Sequence, residues 1–250
     1  MKLIILIGLK RSGNHGITNL ILKNQKNYLH LNDLTDFTYE NFQNFSKKQS
    51  NIQTMDQKWC GFKNKDLLLI SLENIELNTM VNKICNFKEK KNIILLIRNP
   101  FNNLASAYKY FIEKKIGNGL FLLQQMKILW KQYCQFILKN QSFYHWSAST
   151  SSTSTCILYD KFYSNLEYRK QIFKELEIEY KEEHLNEITG YGRSFFDLNA
   201  KNTDKQDIFN RWKYFKDDKY FIQYVLNDSE LLRLWNSVCR KYNIEFSFNF

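Results

Sequence analysis

Proline, glycine and cysteine are scarce in this sequence of 250 residues, which contains one proline, eight glycines and five cysteines. The cysteines are odd in number and form no C-x-x-C pair, so the sequence indicates neither a zinc site nor a disulfide framework. No apolar run approaches the roughly 20 residues of a membrane-spanning helix, and the first run is too short for a signal sequence. We therefore expect reduced thiols in a cytoplasmic protein without a membrane span.

The composition favours a folded chain with anionic partners. Hydrophobic residues make up 44% of a chain that is long enough for a substantial core. The 36 lysines and arginines outnumber the 25 aspartates and glutamates, and the net charge of +11 favours a nucleotide or an anionic substrate. No continuous stripe of basic and aromatic residues is present, so we do not expect a nucleic-acid partner. The sequence indicates no particular oligomeric state.

Short apolar runs alternate with amphipathic segments along most of the chain. The predicted strands are 3–7, 28–31, 66–72, 92–97 and 156–159. The predicted helices are 78–87, 100–111, 119–139, 166–176, 205–216, 218–226 and 228–241, and the predicted loops include 36–60, 147–155 and 186–203. This alternation predicts an α/β fold, a three-layer sandwich with a central parallel sheet. We expect one domain over 1–250, with an α/β core over 1–180 and a mainly helical C-terminal part over 181–250.

Residues 3–22, LIILIGLKRSGNHGITNLIL, combine a buried strand, a glycine-containing loop and the start of a helix. This order directs backbone N–H groups and the positive end of a helix dipole at one point. Lys10 and Arg11 add positive charges, and Ser12 adds a hydroxyl donor. The segment predicts an anion site for phosphate or sulfate; the alternative is a tight turn in which the basic residues are incidental.

The same loop nearly matches the ATP-binding motif G-x-x-x-x-G-K-[ST]. Gly8 and Gly13 have the required separation, but Asn14 and His15 stand where the motif has Lys and then Ser or Thr. In the ATP-binding motif, the Lys reaches the terminal phosphates and the Ser or Thr holds magnesium. Their absence argues against magnesium-dependent phosphoryl transfer, and we expect no metal site.

Polar side chains follow two further predicted strands. Glu73 and Asn74 end the strand at 66–72, and Arg98 directly follows the strand at 92–97. Pro100 is well placed in the first turn of the next helix, where its missing N–H would have been unpaired. Ligands of parallel sheets bind beyond the carboxyl ends of the strands, so we expect these groups to converge there with the glycine-containing loop.

Two motifs together resemble the sulfotransferases that use 3′-phosphoadenosine 5′-phosphosulfate (PAPS). LKRSGNH, residues 9–15, stands where the family has a P-K-S-G-T-T loop for the 5′-phosphosulfate, and RNPFNNLAS, residues 98–106, matches the family pattern R-x-P-x-x-x-x-x-S. The resemblance implies that the Arg and Ser of the second pattern hold the 3′-phosphate. The implied nucleotide-binding residues of the two motifs are Lys10, Arg11, Ser12, Gly13, Asn14, His15, Arg98 and Ser106.

A third similarity covers YGRSFFDLN, residues 191–199, followed by FNRWKYF, residues 209–215. It implies nucleotide contacts from Gly192, Arg193 and Ser194. The first motif departs from the family, because Arg11 stands where Lys is usual and His15 where the second Thr is usual. The loop is closer to a divergent R-S-G-N-H subgroup.

The resemblance implies in-line transfer of a sulfuryl group from PAPS to a hydroxyl or amine of a small-molecule or glycan acceptor, which leaves 3′-phosphoadenosine 5′-phosphate (PAP). Lys10 and Arg11 would stabilise the developing charge, and either could contact the sulfuryl group. Glu73 is the first candidate for the general base, followed by His15 and then by His30 or Asp33. The alternatives are a P-loop nucleotide kinase or NTPase, and an inactive nucleotide-binding module of the same fold.

Overall fold

The computed structural model describes residues 2–32, 65–74, 76, 91–139, 153–186 and 209–244. These residues contain a five-stranded sheet of strand order β2-β3-β1-β4-β5, in which every neighbouring pair is parallel. The strands are β1 Lys2–Gly8, β2 Tyr28–Asn32, β3 Leu67–Glu73, β4 Lys91–Ile97 and β5 Thr153–Leu158.

The helices connect or cover these strands. They are α1 Asn14–Lys23, α2 Pro100–Lys114, α3 Gly119–Lys139, α4 Tyr159–Ser164, α5 Leu166–Glu175, α6 Glu183–Asn186, α7 Lys219–Phe221 and α8 Ser229–Lys241, with a 3₁₀ helix Arg211–Phe215 and a π-helical segment Ile222–Leu226. In the described part of the chain, no helix has both the length and the apolar character that crossing a membrane would require.

The central strand β1 is buried on both faces, as its unbroken apolar sequence predicts. Leu3, Ile5 and Ile7 belong to a core cluster that includes residues of α2, α3 and α8. Ile4 and Leu6 belong to a second cluster that includes residues of α1, α4 and α5. Helices therefore cover both faces of the sheet, which confirms the predicted three-layer α/β sandwich.

The strands that follow β1 and the strand that follows β4 lie on opposite sides of this central pair. After β1 the chain continues to β2 and β3 on one side, and after β4 it continues to β5 on the other. The helices that follow these two strands, α1 and α2, contribute to different core clusters and so lie on different faces. Such a reversal opens a crevice at the carboxyl ends of the two strands. The loop at 9–13 and the residues Arg98 and Asn99 flank this crevice.

The structure confirms the predicted strands but corrects the loop predicted at 147–155. Thr153, Ser154 and Thr155 form the first half of β5 and pair with β4, whereas Tyr159, predicted to end the strand, opens α4. β-Branched threonine suits an edge strand, so a Ser/Thr-rich composition did not decide between loop and strand. Residues 147–152 lie outside the described part.

The C-terminal helices also differ from those predicted. The predicted helix 205–216 is a 3₁₀ helix in its described part, and the predicted helix 218–226 is a short α-helix that continues as a π-helix. Asp218 separates the two, because its side chain caps a new helix by accepting hydrogen bonds from Tyr220 N and Phe221 N. The predicted helix 78–87 and the segment 36–60 lie outside the described residues, as does 187–203 of the predicted loop.

Gly13 is required at its position for two reasons, and we expect Gly13→Ala to be strongly destabilising. Its φ of 95° is left-handed, and an added Cβ would lie 2.0 Å from the ring of Tyr159. Gly117 supplies a matched control, because its φ is 50° but no atom lies within 4 Å of an added Cβ. Urea unfolding should show a loss of about 1 kcal/mol for Gly117→Ala, from backbone conformation alone. Gly13→Ala should lose about 1–3 kcal/mol more, from the overlap. Equal losses would contradict a role for Tyr159.

Candidate functional site

The loop between β1 and α1 is fixed by hydrogen bonds to its carbonyl groups. Four successive carbonyl oxygens accept bonds: Gly8 O from Asn74 N at 3.1 Å, Leu9 O from Ser12 N and Asn14 Nδ2 at 3.1 Å each, Lys10 O from Asn103 Nδ2 at 3.0 Å, and Arg11 O from an Arg98 terminal nitrogen at 3.0 Å. Donors from the residues that follow β3 and β4, from α1 and α2, and from the loop itself therefore determine the course of the loop.

The N-terminus of α1 has no side-chain cap. Its N-cap residue is Gly13, and its first turn contains no acidic residue. Five other helices are capped by the side chain of the residue before them: Asn99 for α2, Asn118 for α3, Asn165 for α5, Asp218 for α7 and Asp228 for α8. An uncapped helix N-terminus carries partial positive charge and N–H donors, which is the arrangement that binds phosphate and sulfate.

Lys10 and Arg11 lie on the loop before this helix. Lys10 is exposed, and its backbone N–H donates to Asn74 Oδ1 at 2.8 Å. Arg11 has a φ of 67°, which is left-handed, and its guanidinium lies 4.2 Å above the ring of Tyr110 in α2. A strained non-glycine backbone beside a candidate site is a common feature of functional loops. Tyr110 holds the Arg11 side chain against α2 by a cation–π contact.

Ser12 is buried, and its hydroxyl oxygen accepts a hydrogen bond from Asn103 Nδ2 at 3.1 Å. Asn103 thus binds the loop at two points, Lys10 O and Ser12 Oγ. The two predicted motifs are therefore connected, because Asn103 lies within the second motif and Ser12 within the first.

Arg98 is buried beside the loop, with only 2% of its surface exposed. Besides its bond to Arg11 O, its guanidinium lies 4.6 Å above the ring of Tyr159, and its carbonyl accepts from Trp130 Nε1 at 3.0 Å. The Tyr159 ring also packs on Gly13. Tyr159 therefore lies between the glycine of the first motif and the arginine of the second. Burying a cation is unfavourable unless anions or oxygen acceptors surround it.

Asp160 follows Tyr159 and lies in the field of two arginines. Its Oδ2 accepts a hydrogen bond from Asn99 N at 2.7 Å. Burial raises the pKa of the Asp160 carboxyl, while Arg98, the Asn99 N–H and Arg211 act in the opposite direction.

Ser106 lies about two turns into α2, and its hydroxyl oxygen accepts a hydrogen bond from Arg211 at 2.8 Å. A second bond, from Asn102 Nδ2 to Phe209 O at 2.8 Å, fixes the segment before the 3₁₀ helix to α2. The third sequence similarity includes the Arg211-Trp212 pair within residues 209–215, but it implied no role for Arg211. The R-W pair was the available signal, but its proximity to Ser106 depends on tertiary structure.

Glu73 is the last residue of β3 and pairs with Gly8 across the sheet. Its Oε1 accepts a hydrogen bond from Asn14 Nδ2 at 2.8 Å. Among the described residues, this amide is the one hydrogen-bond donor to the Glu73 carboxylate. The candidate base therefore lies directly beside the start of the loop.

The candidate base His30 is engaged in a separate hydrogen-bond chain. Ser71 Oγ donates to Asn32 Oδ1 at 2.9 Å, so it accepts from His30 Nε2, also at 2.9 Å, and this requires the tautomer with a proton on Nε2. Burial, with a smaller effect of His15, lowers the pKa of His30 to about 4. His30 is thus neutral at pH 7.

The predicted site residues of the first two motifs and Glu73 all lie at the carboxyl end of the sheet, around the β1/β4 crevice. Asp33, Gly192, Arg193 and Ser194 lie outside the described residues. Within the described ranges, no group of three or more His, Cys, Asp or Glu side chains is arranged to hold a metal ion.

The lowered pKa of His30 predicts a pH-dependent stability. Unfolding returns the pKa to 6.5, so the unfolded chain binds a proton that the folded chain does not bind until about pH 4. The contribution of neutral His30 to the unfolding free energy is complete above pH 6.5 and is lost as the pH falls toward 4. We expect His30→Gln to reduce this loss of unfolding free energy by roughly 3 kcal/mol, as measured by urea unfolding at several pH values. A variant that keeps the wild-type pH slope would contradict this assignment.

Comparisons with known proteins identify the fold. No family model matches the sequence, and no curated protein is significantly similar to it in sequence. The sulfotransferase domain from the Synechococcus PCC 7002 olefin synthase is similar in structure, with a TM-score of 0.52, 10% identity, and coverage of 99% of this chain and 96% of that chain. The sulfotransferase domain from the curacin biosynthetic pathway has a TM-score of 0.52, 14% identity, and coverage of 98% and 99%.

A third similar structure is the mouse sulfotransferase SULT7A1 complexed with PAP, with a TM-score of 0.48, 14% identity, and coverage of 96% of this chain and 89% of that chain. The first two structures show that this chain has the fold of sulfotransferase domains. Because the identities are only 10–14%, this structural similarity shows the fold and no finer relationship.

Proposed function

We propose that this protein is a sulfotransferase that uses PAPS and transfers its sulfuryl group to a hydroxyl or amine of a small-molecule or glycan acceptor, releasing PAP. One observation carries the proposal: the two motifs that resemble PAPS-binding motifs meet at the β1/β4 crevice, where Arg98 bonds to the carbonyl of Arg11. The crevice of such a sheet is where ligands of α/β folds bind.

The loop and α1 fit the 5′-phosphosulfate end of the nucleotide. The uncapped N-terminus of α1 offers N–H donors, and Lys10, Arg11 and Ser12 add two cations and a hydroxyl within the same loop. Donors already placed where negative charge develops stabilise a transition state without rearrangement. Lys10 and Arg11 are therefore assigned to the sulfuryl group and the leaving phosphate, with His15 in the first turn of α1 beside them.

Arg98, Ser106 and Arg211 fit the 3′-phosphate end. Arg211 bonds to Ser106, which belongs to the same motif as Arg98, so a guanidinium group and a hydroxyl are in contact there. Guanidinium groups bind phosphate through paired N–H donors, which a lysine cannot reproduce. Gly192, Arg193 and Ser194 are proposed to complete the nucleotide site.

In the proposed reaction, PAPS supplies an electrophilic sulfur and a leaving phosphate oxygen. The acceptor oxygen or nitrogen forms the new bond to sulfur, the bond between sulfur and the phosphate oxygen breaks, and that oxygen keeps the electron pair. Glu73 takes the acceptor proton as general base. Lys10, Arg11 and the loop N–H groups compensate the charge on the leaving oxygen.

Residues 1–250 are proposed to form a single domain. In its described C-terminal part, Leu231, Leu234 and Val238 of α8 share one core cluster with Trp130 and Tyr133 of α3. The 3₁₀ helix is fixed to α2 through Arg211 and Ser106. The C-terminal part thus contributes to both the core and the proposed nucleotide site.

Calorimetry with PAP, with and without magnesium, tests the nucleotide site. We expect metal-independent binding that Arg211→Ala weakens by about 10- to 100-fold, because a charge-assisted hydrogen bond contributes roughly 1.5–3 kcal/mol. Adenosine 5′-phosphate, which lacks the 3′-phosphate, should bind the variant and the unchanged protein alike. Arg233→Ala, an exposed arginine of α8, is the control. Absence of PAP binding would refute the proposal, and magnesium-dependent binding of a nucleoside triphosphate would favour the kinase alternative.

Glu73→Gln tests the assigned base. Glutamine keeps the shape of the side chain and an oxygen that can accept from Asn14 Nδ2, but it cannot take a proton. We expect the turnover number to fall by about 10²- to 10⁴-fold while PAP affinity stays within about threefold. Sulfuryl transfer from labelled PAPS to a panel of acceptors measures turnover. Full activity in the variant would exclude Glu73 as the base, and no turnover in the unchanged protein would favour the inactive binding module.

A further inference from the structure

Asn14 has a buried side chain whose amide group connects the loop to Glu73. Only 3% of its surface is exposed. Its Nδ2 donates to Leu9 O at 3.1 Å and to Glu73 Oε1 at 2.8 Å. An amide nitrogen carries two hydrogens, so both donors of Asn14 are used within the protein. The side-chain nitrogen therefore does not serve a bound nucleotide.

The orientation of this amide is fixed by its surroundings. Asn14 Oδ1 is buried without a hydrogen-bond partner and lies against Gly8, where an added Cβ would be 2.1 Å away. Turning the amide over would point this oxygen at two acceptor oxygens, those of Leu9 and Glu73. A buried oxygen without a partner is unfavourable. The protein tolerates this cost at a position where it also fixes the Glu73 carboxylate.

The backbone around Glu73 is equally constrained. Glu73 pairs with Gly8 in the β1/β3 ladder, and the next N–H, that of Asn74, donates to Gly8 O at 3.1 Å. The freedom that remains to Glu73 is rotation about its side-chain bonds. The Asn14 amide restrains that rotation by binding one carboxylate oxygen, and the second oxygen is then directed by the planar geometry of the group.

We propose that Asn14 is the positioning residue for Glu73: its amide fixes the carboxylate relative to the loop, so the base and the anion-binding loop move as one unit. This inference rests on the proposed function, because it assigns Asn14 to the same reaction. It changes the role that the sequence resemblance implies for Asn14, from a side chain that binds the nucleotide to one that orients the base.

The test compares turnover with nucleotide affinity in Asn14→Ala. Misplacing a catalytic group by about 1 Å can cost on the order of 10² in rate, so we expect the turnover number to fall by about 10- to 100-fold while the Kd for PAP stays within about threefold. Asn24→Ala is a matched control at the other end of α1. Asn24 also makes two hydrogen bonds, to Leu20 O at 2.8 Å and from Lys181 N at 2.9 Å. Its loss should lower stability and leave turnover unchanged.

A double variant shows whether Asn14 acts through Glu73. Two residues that act as one unit give non-additive losses, so Asn14→Ala should lower turnover no further in a Glu73→Gln background. Losses that multiply, unchanged turnover in Asn14→Ala, or a fall in PAP affinity that accounts for the lost turnover would each overturn the inference. Asn14→Leu, which keeps a similar shape without adding charge but cannot donate to Glu73, carries the same expectation if Asn14→Ala does not fold.

The exchanged pair Asn14→Asp with Glu73→Gln separates positioning from a structural role. The new glutamine amide could donate to the new aspartate carboxylate, which restores the hydrogen bond in the reverse direction. We expect unfolding free energy to recover only in part, because the new aspartate cannot donate to Leu9 O, while turnover stays low; recovered turnover would show that the pair is only structural. PAP calorimetry on the unchanged protein distinguishes the two proposals: without PAP binding both fail, whereas PAP binding and turnover with an unaffected Asn14→Ala variant overturn the inference alone.

Discussion

The bond from buried Arg98 to the carbonyl oxygen of Arg11 is the interaction on which the site depends. It joins the end of β4 to the loop after β1, across the crevice that the strand order creates. The Arg98 side chain, in a residue with 2% exposure, is held there by the Arg11 carbonyl oxygen, the Tyr159 ring and the field of Asp160. Because the same side chain fixes the loop and belongs to the second motif, both ends of the proposed nucleotide site have a common support.

The loop combines a rigid framework with an open helix end. Its carbonyl groups accept hydrogen bonds from Asn74 after β3, Arg98 after β4 and Asn103 in α2, while the N-terminus of α1 has no side-chain cap. Two left-handed residues, Arg11 and Gly13, let the backbone change direction within this framework. Local strain and an uncapped helix both reduce stability. Their occurrence together at one loop is expected where a bound anion supplies the missing interactions.

Sequence periodicity was sufficient for the architecture and insufficient for the partners of the site residues. Unbroken apolar runs predicted β1, β3 and β4, because buried parallel strands are apolar on both faces. Thr153–Thr155 was predicted as loop, because Ser/Thr composition does not distinguish an exposed strand from a turn. Arg211 and Ser106 are far apart in sequence, and their contact depends on how the 3₁₀ helix packs on α2. Such a contact has no local sequence signal.

Position 14 also explains why the ATP-binding motif is incomplete in this chain. A lysine at this position would remove the contact between the Asn14 amide and Glu73 and would bring a positive charge into the neighbourhood of the carboxylate. An ion pair favours the charged carboxylate and makes it a weaker base. Asparagine instead offers a neutral donor that orients Glu73 without neutralising it. A lysine at this position would thus weaken the base that we propose at the end of β3, whereas the neutral Asn14 amide is compatible with that proposal.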